Sequence, residues 1–123
     1  MEKKDPYLAF KDLHVWQKAI DFANQVISFS DNLNSDNKHY RLIEQLESAA
    51  ASIAQNIAEG KGRLSKKEFV HYLYIARGSL YETITLLILF EKRNWITKKD
   101  LQEMETSAIE IASMLKGLIN SII

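Results

Sequence analysis

Glu68 and His71 stand three residues apart, the spacing at which one face of a helix offers a carboxylate and an imidazole to the same metal ion. Asp36 and His39 repeat that spacing upstream. A carboxylate-bridged di-metal centre in a helical bundle needs two such pairs plus a glutamate from each remaining helix, all at one level. The third histidine, His14, has no acid and nucleophile at a recognisable spacing, so a hydrolytic triad has no support. A third chemistry is suggested by NIAEGKGRLSKKEF, Asn56 to Phe69, where Gly60 and Gly62 lie among Lys61, Arg63, Lys66 and Lys67. A phosphate cradle would need G-x-x-x-x-G-K-[ST] after a strand, and that pattern is missing, as is any dinucleotide fingerprint.

Whether these groups can meet depends on the elements that carry them. Apolar residues recur three and four apart in four blocks, the signature of amphipathic helices. The first runs from about Asp12, a candidate N-cap, to Leu33 through Leu13, Trp16, Ile20, Ala23 and Ile27. After the polar break Asn34 to Asn37, the second carries Leu42, Leu46, Ala49, Ile53 and Ile57 and stops at Gly60, read as a left-handed residue past the helix end. Gly62 then lets the chain reverse. Ser65 and Glu68 form a capping-box pair opening the third helix, which continues through Phe69, Leu73, Ala76, Leu80, Ile84 and Leu87 to near Arg93. Thr97 with Asp100 opens the fourth, in which Leu101, Met104, Ala108, Ile111, Leu115, Leu118 and Ile122 keep the alternation to the terminus.

Four such helices with short connections predict an all-α, antiparallel up-down-up-down four-helix bundle forming one domain over residues 1–123, with residues 1 to about 9 as a flexible arm. That topology separates the two acid–histidine pairs. One begins helix two and the other helix three, so they sit at opposite ends of an antiparallel hairpin, about 30 Å apart, and cannot share a metal. No catalytic residue set, metal site or cofactor is assigned, and the chain is read as not an enzyme.

Composition agrees with one ordinary globular domain. The 123 residues are 46% hydrophobic and 26% charged, with one proline and four glycines. Without cysteine, neither disulfides nor thiolate metal sites are open to it, which suits a reducing compartment. The N-terminus lacks the apolar core of a signal peptide, and the longest apolar run, Leu86 to Phe90, is far below the roughly 20 residues of a membrane span. A soluble, cytoplasmic protein that does not engage a membrane is expected. Sixteen basic residues balance sixteen acidic ones, so nucleic-acid binding would need a local patch.

Folding helix three back on helix two brings Asn56 near Tyr72, Ser52 near Ala76 and Ala49 near Ser79, with Ala50, Ala54 and Gly78 along the seam. Close backbone approach would explain Gly78, which costs about 1 kcal/mol of helix propensity relative to alanine. A polar stripe of Gln45, Ser52, Asn56 and Glu59 faces Glu68, Tyr72, Ser79 and Glu82, and Asn56 and Glu59 call for partners such as Arg63 or Arg77. Outside the seam the helices carry more apolar surface than one core stripe needs: Val26 and Phe29, Ile75 and Ile88, Ile109 and Ile119. Broad faces of this kind suggest self-association.

FKDLHVWQKA, then Gln45, Leu46, Ala49, Ala50, Ser52 and Ile53, NIAEGKGR with Ser65, Glu68 and Phe69, and ARGSLYE from Ala76 to Glu82 together resemble the bacterial four-helix-bundle family named for open reading frames within 23S rRNA intervening sequences. The resemblance implies small bundles assembled as barrel-shaped homopentamers, most without an assigned activity. It makes Asn56, Glu59, Gly60, Gly62, Arg63, Ser65, Glu68, Gly78, Ser79 and Glu82 motif residues with structural roles. Related proteins include the accessory subunit of diversity-generating retroelements, a basic pentamer that binds nucleic acid and a reverse transcriptase; this chain departs from it in its balanced charge.

Two expectations of function follow. One is a non-enzymatic homo-oligomeric scaffold with a protein partner. The alternative is a nucleic-acid or ribonucleoprotein accessory factor, binding RNA or DNA through Lys61, Arg63, Lys66 and Lys67. Lys92, Arg93, Lys98 and Lys99 form a second basic cluster at the other end of helix three. Lysines suit the negative end of a helix, so Lys66 and Lys67, at the positive end of helix three, stand out.

Overall fold

A computed structural model of the chain describes residues 5–33 and 39–123. A 3-10 helix, Pro6–Asp12, is followed by α1 (His14–Ser30), α2 (Tyr40–Lys61), α3 (Lys66–Lys92) and α4 (Lys98–Ile122), and no strand occurs among the described residues. The expected four-helix bundle is therefore present. The four α-helices form a closed square: α2 packs on α1 and α3, and α4 packs on α3 and α1, while among the described residues the backbones of the diagonal pairs stay more than 8 Å apart.

Polar links fix the antiparallel order. Ser30 at the end of α1 donates to the Glu47 carboxylate near the start of α2. Across the α1–α4 seam Lys18 Nζ lies 3.1 Å from Glu110 Oε1. The Ser52 and Ser79 hydroxyls, 2.9 Å apart, join α2 to α3. Inside, Phe22, Val26, Leu46, Ile53, Leu73, Leu87, Phe90 and Leu115 are excluded from solvent. Each contributes about 1.5–3 kcal/mol by leaving water. Thr83 is as deeply buried, and its hydroxyl donates to the Ser79 carbonyl at 2.8 Å.

The ends of the elements depart from sequence expectation in several places. The arm expected over the first nine residues forms a 3-10 turn from Pro6 on, where the Asp5 carboxylate accepts the Tyr7 N–H at 2.8 Å and proline takes the first helical position. Phe10 of this turn packs edge-on to Trp16, with ring centroids 5.2 Å apart. Leu13, not Asp12, occupies the N-cap of α1, in extended conformation and without a side-chain cap bond. The C-terminus of α1 is Ser30, three residues before Leu33. The break Asn34 to Asn37, with Asp36, lies outside the described residues.

Two further departures concern glycine and the turn conformation. Gly60 is not left-handed: it belongs to α2, and no glycine in the described chain has positive φ. The left-handed residue is Asn94, at φ 62°, in the α3–α4 turn. There the Asn94 N–H donates to the Glu91 carbonyl at 2.9 Å and the Trp95 N–H to that of Phe90 at 2.9 Å. These are the two bonds of a Schellman ending, and the Phe90 and Trp95 rings, 4.9 Å apart, supply its apolar contact.

By length and composition α3 alone among the described helices could cross a membrane, which its longest apolar run does not suggest. Its apolar residues Leu73, Leu80, Leu87 and Phe90 instead fill the bundle core.

Candidate functional site

The motif stretch forms the α2–α3 hairpin. Gly62, with φ −80° and ψ −5°, ends α2, and its N–H donates to the Ala58 carbonyl at 3.2 Å. Ser65 is extended at the N-cap of α3, its hydroxyl accepting the Glu68 N–H at 3.1 Å. Among the described residues the Glu68 carboxylate makes no return bond, so the cap is half a box. The complete box is at α4, where Thr97 Oγ1 accepts from the Asp100 N–H at 3.0 Å and Asp100 accepts from the Thr97 N–H at 3.4 Å.

Gly60 is buried because α3 passes over it. A Cβ at this position would lie 2.7 Å from the Tyr72 Cβ and 3.1 Å from Phe69 Cδ1. The close approach expected at Gly78 is therefore made at Gly60. Gly78 is exposed, with nothing within 4 Å of a Cβ built there.

The polar seam exists and is largely self-contained. Asn56 donates to the Ser52 carbonyl at 2.8 Å and to its hydroxyl at 2.9 Å, and Gln45 donates to Glu82 at 3.4 Å. Ser52 meets Ser79, one turn beyond the Ala76 expected opposite it. Glu59 pairs with Arg63, whose guanidinium also donates to the Tyr72 hydroxyl at 2.7 Å. Arg77 serves neither Asn56 nor Glu59: it lies 4.8 Å from the Tyr74 ring centroid and 5.9 Å from that of Tyr81.

The metal-spaced residues stay apart. Glu68 and His71 begin α3 at the hairpin end. His39, at the N-cap of α2, stacks 4.5 Å from Trp95 at the far end of α3. Among the described residues no three His, Cys, Asp or Glu side chains converge to hold a metal.

Of the hairpin cations, Arg63 is engaged by Glu59, and the Lys61 ammonium sits 5.8 Å from the Phe69 ring centroid. Lys66 and Lys67 are exposed, and no ion pair of theirs occurs among the described residues. Between these cations Leu64 is fully exposed.

The apolar surplus is only partly surface. Val26 and Ile119 are buried, whereas Ile75, Ile88 and Ile109 are exposed, Ile109 at 70% of its surface. Two apolar grooves result. One, of about 360 Å³, lies on the α3–α4 side between Tyr81 and Ile109 and is floored by Leu80, Ile84, Ala108 and Ala112. The other, of about 440 Å³, lies on the α1–α2 side, with Trp16, Ile20 and Ile27 facing Ala51, Ala54 and Ala58. Sequence reading missed the second groove, although the small residues at Ala51, Ala54 and Ala58 are its signal.

Fold and surface define an antiparallel four-helix-bundle protein whose distinctive features are its hairpin seam and its apolar flanks. The chain belongs to the 23S rRNA-intervening sequence protein family, whose profile matches residues 11–117. It is similar to a solved structure, a protein with unknown function from the S23 ribosomal protein family of Bacteroides thetaiotaomicron, with 26% identity and a TM-score of 0.79 over 85% of this chain and 97% of that one. Among curated proteins nothing matches it.

Proposed function

We propose that the protein is a non-enzymatic cytoplasmic scaffold that acts as a homo-oligomer with a protein partner. The observation that carries this reading is the exposure of large apolar side chains on three helices, Ile20 on α1, Tyr81 on α3 and Ile109 on α4. Tyr81 and Ile109 flank one apolar groove and Ile20 lines another, and apolar patches of this kind on a small domain mark association. A homopentamer is the assembly that the family resemblance implies, and the lack of cysteine suits the cytoplasm. Light scattering coupled to size exclusion tests the reading: a mass several times 14.2 kDa is expected, and a monomer at all concentrations up to about 100 μM overturns it.

A second reading, an accessory factor for RNA or DNA, is favoured by Lys66 and Lys67. Both are exposed at the positive end of α3, where phosphate would be better placed than ammonium. Binding of a labelled structured RNA, followed by fluorescence anisotropy from about 50 to 200 mM salt, tests it. Saturable binding that weakens steeply with salt supports this role, and absence of binding at the lowest salt removes it.

A further inference from the structure

On the outer face of α3 the Arg77 guanidinium lies against two tyrosines, 4.8 Å from the Tyr74 ring centroid and 5.9 Å from that of Tyr81. From this arrangement we infer that α3 is a stacking platform for single-stranded nucleic acid, the two rings taking bases and Arg77 a phosphate between them. The inference rests on the accessory-factor reading above, and adds to it the class of nucleic acid and the contacts that hold it.

Each member of the platform is open to a ligand. Tyr74 and Tyr81 expose 43% and 55% of their surfaces. Seven residues apart, they stand on one line of the helix about 10 Å from each other. Among the described residues no carboxylate or carbonyl accepts from Arg77, so its N–H donors remain for a phosphate, which a guanidinium binds in bidentate fashion. Gly78 shares the face, and nothing lies within 4 Å of a Cβ built there. Glycine weakens a helix, and no packing in the described chain accounts for this one. A gap between two rings, where a base or sugar can approach the backbone, does account for it. Tyr81 borders the α3–α4 groove, whereas Tyr74, Arg77 and Gly78 lie outside its lining.

Charge extends the platform towards the hairpin. Lys67 precedes Tyr74 by the same seven residues, and positions 67, 71, 74, 77, 78 and 81 of this face carry no acid. Lys66 and Lys67 are exposed at the positive end of α3. Glu82 is held by Gln45 on the α2 side, and Glu105 lines the groove beyond Tyr81. Cations and rings thus alternate over about 21 Å of helix. An unpaired strand suits such a surface, because every base has a π-face to stack and the cations follow the phosphates without regard to sequence. A duplex keeps its bases paired and stacked inside, so it offers the rings no free base.

The test uses the full chain and two labelled probes, an oligouridylate of about 15 nucleotides and an RNA duplex of the same length, by fluorescence anisotropy from about 50 to 200 mM salt. The single strand should bind roughly tenfold tighter than the duplex. Tyr74→Leu and Tyr81→Leu should each weaken single-strand binding roughly 5- to 150-fold with the salt slope unchanged, since they remove stacking and no charge. Arg77→Leu should weaken it and lower the salt slope by about 0.7, one phosphate contact. Gly78→Leu, which fills the gap on an open face, should weaken it while the circular dichroism melt holds. Wild-type affinity in both tyrosine variants, or a duplex bound as tightly as the single strand, overturns the platform even where RNA binding itself stands. Failure of both probes to bind at the lowest salt removes the accessory-factor reading and the platform with it. A tyrosine variant whose mass by light scattering falls while its single-strand affinity holds assigns the face to association and overturns the proposal.

Discussion

Gly60 of α2 and Tyr72 of α3 touch so closely that a methyl group on Gly60 would lie 2.7 Å from the Tyr72 Cβ. The obstacle is the base of a side chain, which cannot swing away as the tip of one can. Gly60→Ala should therefore destabilise the fold by about 1–3 kcal/mol through overpacking, despite alanine's better helix propensity. A lowered urea midpoint with unchanged slope is the expected observation; an unchanged midpoint contradicts the contact.

Gly78→Ala should do the opposite. It lies within α3 and a Cβ there meets nothing within 4 Å, so the protein should gain about 1 kcal/mol of helix propensity. The pair of glycine variants, compared by urea denaturation, separates backbone contact from backbone entropy within one hairpin.

At the α3–α4 turn, Asn94→Gly should be neutral or mildly stabilising, since glycine adopts positive φ freely. Asn94→Val should cost about 1–2 kcal/mol, because a β-branched residue is strained there. Equal melting temperatures for the two variants would contradict the left-handed turn.

The hydroxyl pair across the α2–α3 seam should show coupling. In a double-mutant cycle of Ser52→Ala and Ser79→Ala, the interaction energy is expected near 0.5–1.5 kcal/mol, since the hydroxyls lie 2.9 Å apart and are half-buried. Additive effects would mean that the bond contributes nothing beyond packing.

The hairpin cations should divide into two kinds. Arg63→Gln removes the links to Glu59 and Tyr72 and should lower stability by up to about 1 kcal/mol, the range of exposed pairs. Lys66→Gln with Lys67→Gln should leave the melting curve unchanged. If the nucleic-acid reading holds, that double variant should also flatten the dependence of RNA affinity on salt by about two contacts, and a slope equal to wild type would remove these lysines from the interface.

The four helices were legible because the core needs one stripe of apolar residues per helix, and Leu101, Met104, Ala108, Ile111 and Leu115 keep that stripe wherever the neighbouring helices sit. The roles of the glycines were not. Gly60 under a crossing helix and Gly78 on an open face look alike in sequence, since both lack a side chain and only the register of α2 against α3 separates them. The left-handed residue found among the described residues, Asn94, was hidden because the expected residue was glycine, although the following Trp95 was available as the apolar partner of a Schellman ending. The Pro6–Asp12 turn has no three-four periodicity, yet Asp5 before Pro6 is an N-cap followed by a first-turn proline. The grooves were invisible for another reason: a concavity arises between two helices and belongs to no single stripe.

The hairpin also bears on the order of folding. Only Gly62 to Ser65 separate α2 from α3, whose contact is the most extensive in the bundle, so this pair closes over a short loop at small entropic cost. The α1–α4 seam instead joins residues far apart in sequence, such as Gln25 and Ser107, 82 positions apart. The local half is thus expected to form first and the long-range seam to close last, and the seam, with the least extensive helix–helix contact in the square, is expected to show the earliest opening by hydrogen exchange.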